Sequence, residues 1–376
     1  MSVKIQMCDL VGQYRKIQPE VDEAMSQVIN TSSFINGPQV GEFKTNLEKY
    51  TGAKHVIPCG NGTDALQIAL MALGLQPGDE VIVPAFTYVA AAEVIGLLRL
   101  VPVMVDVDYD SFNVTLEHIQ KGWSAKTKAI IPVHLFGQSC PMEEITDFAA
   151  EHHLYVIEDN AQAIGASCTF SDRSKKQAGT IGHIGCTSFF PTKNLGCFGD
   201  GGAMMTNDDA LAEKLRMITV HGQKMKYRHE VLGCNSRLDT LQAAMLNVKL
   251  KYLDKYSQHR YQAAQFYSRE LKSVHEIEIP KEMPYSSHVY HQYTIKVKDG
   301  KRDGLKKYLS EQGVPSMVYY PVSLDEQNAF KGIAKKAGTL DISGKLTASV
   351  LSLPMHTELS EEQQAYIVSA IKAFFG

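Results

Sequence analysis

A chain of 376 residues with 38 Lys and Arg against 41 Asp and Glu has a formal charge of −3, too near neutral for an acidic tail or a nucleic-acid-binding surface. With 44% hydrophobic and 21% charged residues the composition is globular, and this length predicts two domains, or one large domain with an appendage. No run of about 18 apolar residues offers a membrane span, the start MSVKIQMCDLVGQYRK lacks the features of a signal peptide, and seven cysteines without a C-x-x-C pair point to reduced thiols in a cytoplasm rather than to zinc or disulfides.

Apolar residues recur at helical spacing from Gln18 to Ile29, and a turn follows at Phe34 to Pro38. A short helix is expected from Val40 to Tyr50. His55 to Cys59 reads as a strand, Gly60-Asn-Gly-Thr-Asp64 as a tight turn, and Ala65 to Leu73 as a helix beginning near Thr63. Free N–H groups and the positive dipole end of that helix suit a phosphate. A capped helix after a strand fits the same residues. Neither G-x-G-x-x-G nor a Walker lysine is present, so the turn matches neither nucleotide fingerprint.

Strands and helices then alternate. Glu80 to Pro84, Val101 to Val107, Ala129 to Val133 and Leu154 to Glu158 read as strands; Val89 to Leu98, Leu116 to Gly122 and Met142 to His152 read as helices. Apolar strands in repeated βα units imply an α/β fold with a largely parallel sheet covered on both faces. Ligands in such sheets collect at the carboxyl ends of the strands. Tyr88, the pair Asp159 and Gln162, and the Gly60–Asp64 turn lie just past three such ends.

The stretch CTSFFPTKNLGCFGDGGAMMT, Cys186 to Thr206, sets one lysine, Lys193, between two apparent strands and beside a glycine-dense turn. In a loop short of other charge an ammonium loses hydration and its pKa falls; a neutral amine can form a Schiff base. Farther on, Ala210 to Val220 and Leu238 to Leu253 read as helices, the second preceded by Asn235 and Arg237. A charged helix, Gln258 to Leu271, leads to a change of texture, which places a domain boundary near residues 250–265. His288 to Val297 alternates like an exposed strand, Arg302 to Gln312 is a helix, Ser316 to Tyr320 a strand, and Ser360 to Phe375 an amphipathic helix.

A phosphate turn (Gly62, Thr63, with Ser188), an aromatic (Tyr88), an acid (Asp159), an amide (Gln162) and a lysine (Lys193) together fit pyridoxal 5′-phosphate. Asp159 would pair with the pyridinium nitrogen and keep the ring electron-withdrawing. Each residue also has a plainer reading: Asp159 as a helix N-cap, Tyr88 as a core aromatic, Gln162 as an exposed helical residue.

The order of these motifs resembles the DegT/StrS family of nucleotide-sugar aminotransferases. The resemblance runs nearly end to end, through Gly60-Asn-Gly-Thr-Asp-Ala-Leu66, Pro77-Gly-Asp-Glu-Val-Ile82, Phe86-Thr-Tyr88, Val156-Ile-Glu-Asp-Asn-Ala-Gln162, Ser188-Phe-Phe-Pro-Thr-Lys193, Gly199-Asp-Gly-Gly202 and Asn235-Ser-Arg-Leu-Asp239. It implies a fold type I pyridoxal-phosphate transferase, with a large domain over 21–254, a smaller α+β domain over 255–376, and residues 1–20 packing with the latter. It implies that Lys193 is the Schiff-base lysine, Asp159 the pyridinium partner, Tyr88 the stacking residue and Gln162 a neighbour of the ring oxygen. Gly62, Thr63 and Ser188 would sit on the phosphate, and Asn235 would reach it from a neighbouring subunit of a homodimer. No metal, nucleic acid or membrane is implied.

Within that family, His221-Gly-Gln223, Gly233 to Ala244, Tyr319-Tyr-Pro321 and Ser352-Leu-Pro-Met-His356 resemble members acting on UDP-2-acetamido-2-deoxy-3-oxo-glucuronate, with glutamate as donor, in bacterial O-antigen assembly. Arg237, Tyr319 and Tyr320 would then contact substrate. Arg237 suits a carboxylate bidentately, although a salt bridge to Asp239 or another acid is an equally simple use. Amination of a 4-keto dTDP-sugar and a non-catalytic cofactor-binding regulator are the alternatives. Related dehydratases replace the lysine with histidine, and this chain keeps Lys193. Asp325 and Tyr319 stand where many members carry histidine, a departure that resemblance places at the sugar.

Overall fold

A computed structural model of the chain describes residues 5–376; residues 1–4, the start of the expected N-terminal segment, lie outside them. The main sheet has eight strands in the order His55–Cys59, Gly202–Thr206, Ile184–Ser188, Tyr155–Asp159, Thr127–Ile130, Glu80–Pro84, Val101–Val105 and Lys335–Lys336. All run parallel except Gly202–Thr206, which is antiparallel to both neighbours. The strand Glu80–Pro84 is buried at every position, as a sheet covered on both faces requires. The helix Gly62–Leu73 packs near the middle and buries apolar side chains around most of its girth.

Register brings the expected site together. Cys59 lies opposite Gly202, Gly202 opposite Ser188, and Asp159 opposite Cys186. The glycine turn, Ser188 and Asp159 therefore share one end of the sheet.

A second core lies around a three-stranded antiparallel sheet, Ile277–Glu278, Tyr293–Val297 and Val350–Leu353, with the helices Leu253–Leu271 and Glu361–Phe375. Ile5 joins this core, and Met355 donates its N–H to the Met7 carbonyl. Residues Leu324, Phe330, Leu340 and Leu346 belong instead to the core of the main sheet.

Several expectations change in detail. The first helix begins at Leu10 rather than Gln18, capped by the Asp9 carboxylate on the Gly12 N–H at 2.8 Å, and Pro19 sits exposed inside it. Its lost hydrogen bond falls on the solvent side, where water can substitute. The expected helix Leu238–Leu253 is shorter, Thr240–Leu250, and the expected helix Gln258–Leu271 starts earlier, at Leu253.

His288–Val297 is not an exposed strand. Only Tyr293–Val297 is a strand, and all five residues are buried. Of its polar positions, Lys296 is covered by the segment around Tyr109, whose carbonyl accepts from Lys296 Nζ at 2.9 Å, and Thr294 shares a hydrogen bond with Ser352 of the neighbouring strand. Ser316–Tyr320 is not a strand either; Met317 alone bridges to Ser352, and the chain then turns toward the main sheet.

Candidate active site

A cavity of ≈650 Å³ opens at the carboxyl ends of the parallel strands. It is lined by Gly62, Thr63, Tyr88, Asp159, Gln162, Ser188, Lys193, Tyr319 and Tyr320, nine of the residues singled out from sequence. Asn235 and Arg237 do not line it.

Alternation along the strand Tyr155–Asp159 divides two carboxylates between two tasks. Glu158 points away from the cavity and is fully buried. It accepts hydrogen bonds from His134 Nε2 at 2.9 Å and from the N–H groups of Gly179, Ile181 and Gly182 at 2.8, 2.6 and 2.6 Å. The Cys140 N–H donates to His134 Nδ1, so the imidazole proton sits on Nε2, facing Glu158. Asp159 faces the cavity, and among the described residues its carboxylate has one protein donor, the Ala161 N–H at 3.0 Å. Burial raises its pKa, opposed by that bond and by the positive field of Lys193. The chain after Asp159 is a turn, so the N-cap reading has no helix to cap.

Lys193 is half-buried and lines the cavity. Desolvation pushes its amine down to about 8, against the pull of Asp159. Its loop is held by the Phe190 carbonyl, which accepts the Lys193 N–H at 2.8 Å. Asn194 adds a bond from Nδ2 to the Val289 carbonyl at 3.0 Å.

The glycine turn forms an anion cradle. Asn61 caps the helix Gly62–Leu73 by accepting the Asp64 N–H at 2.8 Å. Among the described residues the N–H groups of Gly62 and Thr63 meet no protein acceptor. A Cβ at residue 62 would fall 2.7 Å from Ser188 Cβ, and one at residue 202 would fall 2.5 Å from the Asn61 carbonyl, so glycine at both positions allows the close approach. Thr87 Oγ1 is buried at the cavity wall without a partner.

Gln162 is buried rather than exposed on a helix. Its Oε1 accepts the Phe136 N–H at 2.8 Å, which turns Nε2 toward the Tyr320 hydroxyl at 3.1 Å. The Tyr320 oxygen accepts that bond, leaving its own proton to donate elsewhere. Tyr88 is 59% exposed, with its ring centroid 6.4 Å from that of Tyr320. It is not a core aromatic.

Asn235 is exposed, and Arg237 makes neither a hydrogen bond nor an ion pair among the described residues, so the alternative reading of Arg237 as a salt bridge to Asp239 or another acid is not seen. Asp325 lies outside the cavity. Its side chain is 6% exposed and pairs with Lys336 at 2.5 Å, so its departure from histidine does not touch the cavity wall. Tyr319 does line it.

His291 and Gln292 line the cavity without having been singled out from sequence. Burial, with the cations Lys193 and Arg260 nearby, holds the His291 imidazole well below its usual pKa. Two polar residues interrupting an apolar stretch just before a strand are the available signal.

Residues 15–372 match the DegT/DnrJ/EryC1/StrS aminotransferase family. The chain is 47% identical over 375 residues to a "pleiotropic regulatory protein" of Geobacillus stearothermophilus, covering 99% of each chain. It is 41% identical to the UDP-2-acetamido-2-deoxy-3-oxo-D-glucuronate aminotransferase of Pseudomonas aeruginosa, covering 98% of this chain and 99% of that one. It is 37% identical to the dTDP-3-amino-3,6-dideoxy-alpha-D-galactopyranose transaminase of Aneurinibacillus thermoaerophilus, covering 96% of each. Among solved structures, a DegT DnrJ EryC1 StrS aminotransferase from Brucella abortus superposes with a TM-score of 0.94 at 41% identity, covering 99% of this chain and 100% of the other. NtdA from Bacillus subtilis, with bound cofactor PMP, gives 0.87 at 30% identity, covering 96% and 82%.

Proposed function

We propose that this chain, which belongs to the DegT/DnrJ/EryC1/StrS aminotransferase family and is a pyridoxal-phosphate-dependent sugar aminotransferase, moves an amino group from glutamate to UDP-2-acetamido-2-deoxy-3-oxo-glucuronate. One observation carries the reading: Lys193 and Asp159 share a single cavity with the open N–H groups of Gly62 and Thr63. The donor set fits the cofactor. The cradle offers N–H and hydroxyl donors to a phosphate, Asp159 offers an acid to a ring nitrogen, and exposed Tyr88 offers a face to a flat ring.

When bound, pyridoxal phosphate supplies a ring that accepts electron density from a carbon losing a proton. Asp159, whose carboxylate accepts the Ala161 N–H and faces the cavity, would hold a proton on the ring nitrogen. Lys193, with an amine that is partly neutral near pH 8, takes the proton from the donor α-carbon at Nζ and later returns a proton to the sugar side. Overall the amino group would pass from glutamate to the keto carbon of the sugar and the donor would leave as a 2-oxoacid, with one water taken up on the donor side and one released from the sugar side. Gln162 and Tyr320 orient groups over the cavity through their shared hydrogen bond.

The sugar assignment draws on the 41% identity to an enzyme named for that substrate, and on Arg237. An unpaired guanidinium outside its own chain's cavity is suited to bind the sugar carboxylate in a second copy, with Asn235 reaching the same site. We therefore read a homodimer with shared sites, in a cytoplasm, making precursors for surface polysaccharide. Residues 21–254 form the cofactor-holding part and 255–376 the smaller part, with residues 324–346 returning to the main sheet.

The test is the purified protein with glutamate against a panel of UDP- and dTDP-linked keto-sugars. Amination at carbon 3 of the UDP-uronate supports the reading. Amination of a 4-keto dTDP-sugar alone would replace it. The 47% relative named as a regulator motivates one further reading, a cofactor-binding regulator. Glutamate should bleach the visible absorbance of the bound cofactor in a transaminase; absorbance indifferent to every amino donor would favour the regulator.

A further inference from the structure

We propose that Ser236 is a positioning residue for the phosphate cradle, locking the Gly60–Asn61 turn and the Asp64 carboxylate so that the Gly62 and Thr63 N–H groups stay open. This rests on the reading that those groups receive the cofactor's phosphate.

Ser236 is 2% exposed and outside the cavity. Its Oγ accepts the Gly60 N–H at 2.9 Å and donates to Asp64 Oδ2 at 2.6 Å. A hydroxyl has one proton, and here it is committed to the carboxylate. Ser236 is itself anchored, since its N–H donates to the Thr219 carbonyl at 3.0 Å, at the end of the helix Asp209–Thr219. A segment far along the chain thus clamps the turn that opens the cradle.

The clamp matters because of where Asp64 sits. It is the third residue of the helix Gly62–Leu73. An acid at that position commonly reaches back to the N-cap N–H, and the positive helix end attracts it. A freed Asp64 would bring negative charge to the entrance of an anion site. Here Asn61 holds its backbone N–H and Ser236 holds its carboxylate. The same hydroxyl also satisfies the Gly60 N–H, so one side chain fixes the start of the turn and removes a competing anion.

The experiment titrates cofactor-free protein with pyridoxal phosphate by fluorescence, and then with inorganic phosphate as competitor. S236A should weaken both by about tenfold, while kcat at saturating cofactor stays within about twofold of the parent. S236T, which keeps the hydroxyl, should restore parental affinity. D64N, which keeps an acceptor and loses the charge, should hold both probes at least as tightly as the parent. Parental affinity in S236A, or a loss in S236T as large as in S236A, overturns the proposal. If S236A does not fold, weaker phosphate binding by D64N overturns it. Phosphate that fails to compete in the parent sinks the cradle reading itself, a separate outcome.

Discussion

Replacing Lys193 with methionine removes one titration from the fold, and its size can be worked out. Burial moves the amine from 10.5 to about 8. Below pH 8 both folded and unfolded chains hold the proton, and the folded chain carries the full cost of a desolvated cation. Between 8 and 10.5 the unfolded chain holds the proton and the folded chain has released it, so stability rises with pH. Integrating from about pH 7 to about pH 9.5 gives about 2 kcal/mol of added stability assignable to this amine. K193M keeps the length and apolar stem of the side chain and lacks the ionisation. The assay is urea unfolding of cofactor-free parent and variant at equal protein concentration, followed by circular dichroism. The stability of the parent minus that of the variant should climb by about 2 kcal/mol across the interval. Tyrosines and other lysines titrate in both proteins and cancel in the difference. A difference that stays flat to within about 0.5 kcal/mol would refute the desolvated-amine argument.

Two more outcomes follow from the same geometry. D159N keeps an oxygen for the Ala161 N–H and leaves the cradle untouched, so cofactor should remain bound, but the glutamate half-reaction should slow by about 100-fold or more. Stopped-flow absorbance reads the rate and the occupancy together; an unchanged rate would remove Asp159 from the mechanism. K336M strips the buried Asp325 of its ion partner, and Asp325 Oδ1 already lacks one. Because Lys336 is half-exposed, the expected loss is about 1–2 kcal/mol, seen as a lowered Tm. The KM for the sugar should not move, and a selective rise in KM would return Asp325 to the substrate site.

The βα alternation between His55 and Asp159 is legible because burial on both faces leaves the middle of each strand mostly apolar, with helices of matching apolar stripe between. The exceptions are tertiary. Glu80, at the start of one of these strands, is buried and held by Lys335 Nζ at 2.6 Å and by Ser124, partners that strand pattern does not reveal. The strand Lys335–Lys336 that extends the sheet beside Val101–Val105 has no β signal at all; it pairs because the loop around Phe330 and Leu340 packs on the main core. The alternation of Tyr293–Val297 has the period of a half-exposed strand. A second layer covers its polar face, and period alone cannot reveal that layer.

The site divides along the same line. Lys193, Asp159, Gly62 and Tyr88 are legible because strand-end position and residue chemistry coincide at each. His291 and Gln292 are not, because they enter the cavity from the second core, next to Phe136, whose carbonyl accepts the Gln292 N–H. Local pattern cannot say which loop of one core closes over the other. Gln162 shows the limit from the opposite direction. Its place in the motif marks it as a cavity residue, but its amide is already shared between the Phe136 N–H and the Tyr320 hydroxyl. Whatever it does for a bound ring therefore acts together with Tyr320. Asn235 and Arg237 complete the argument by their absence from this chain's cavity. One is exposed and the other has no hydrogen bond or ion pair among the described residues, which is the observation behind the proposal of a site shared between two copies.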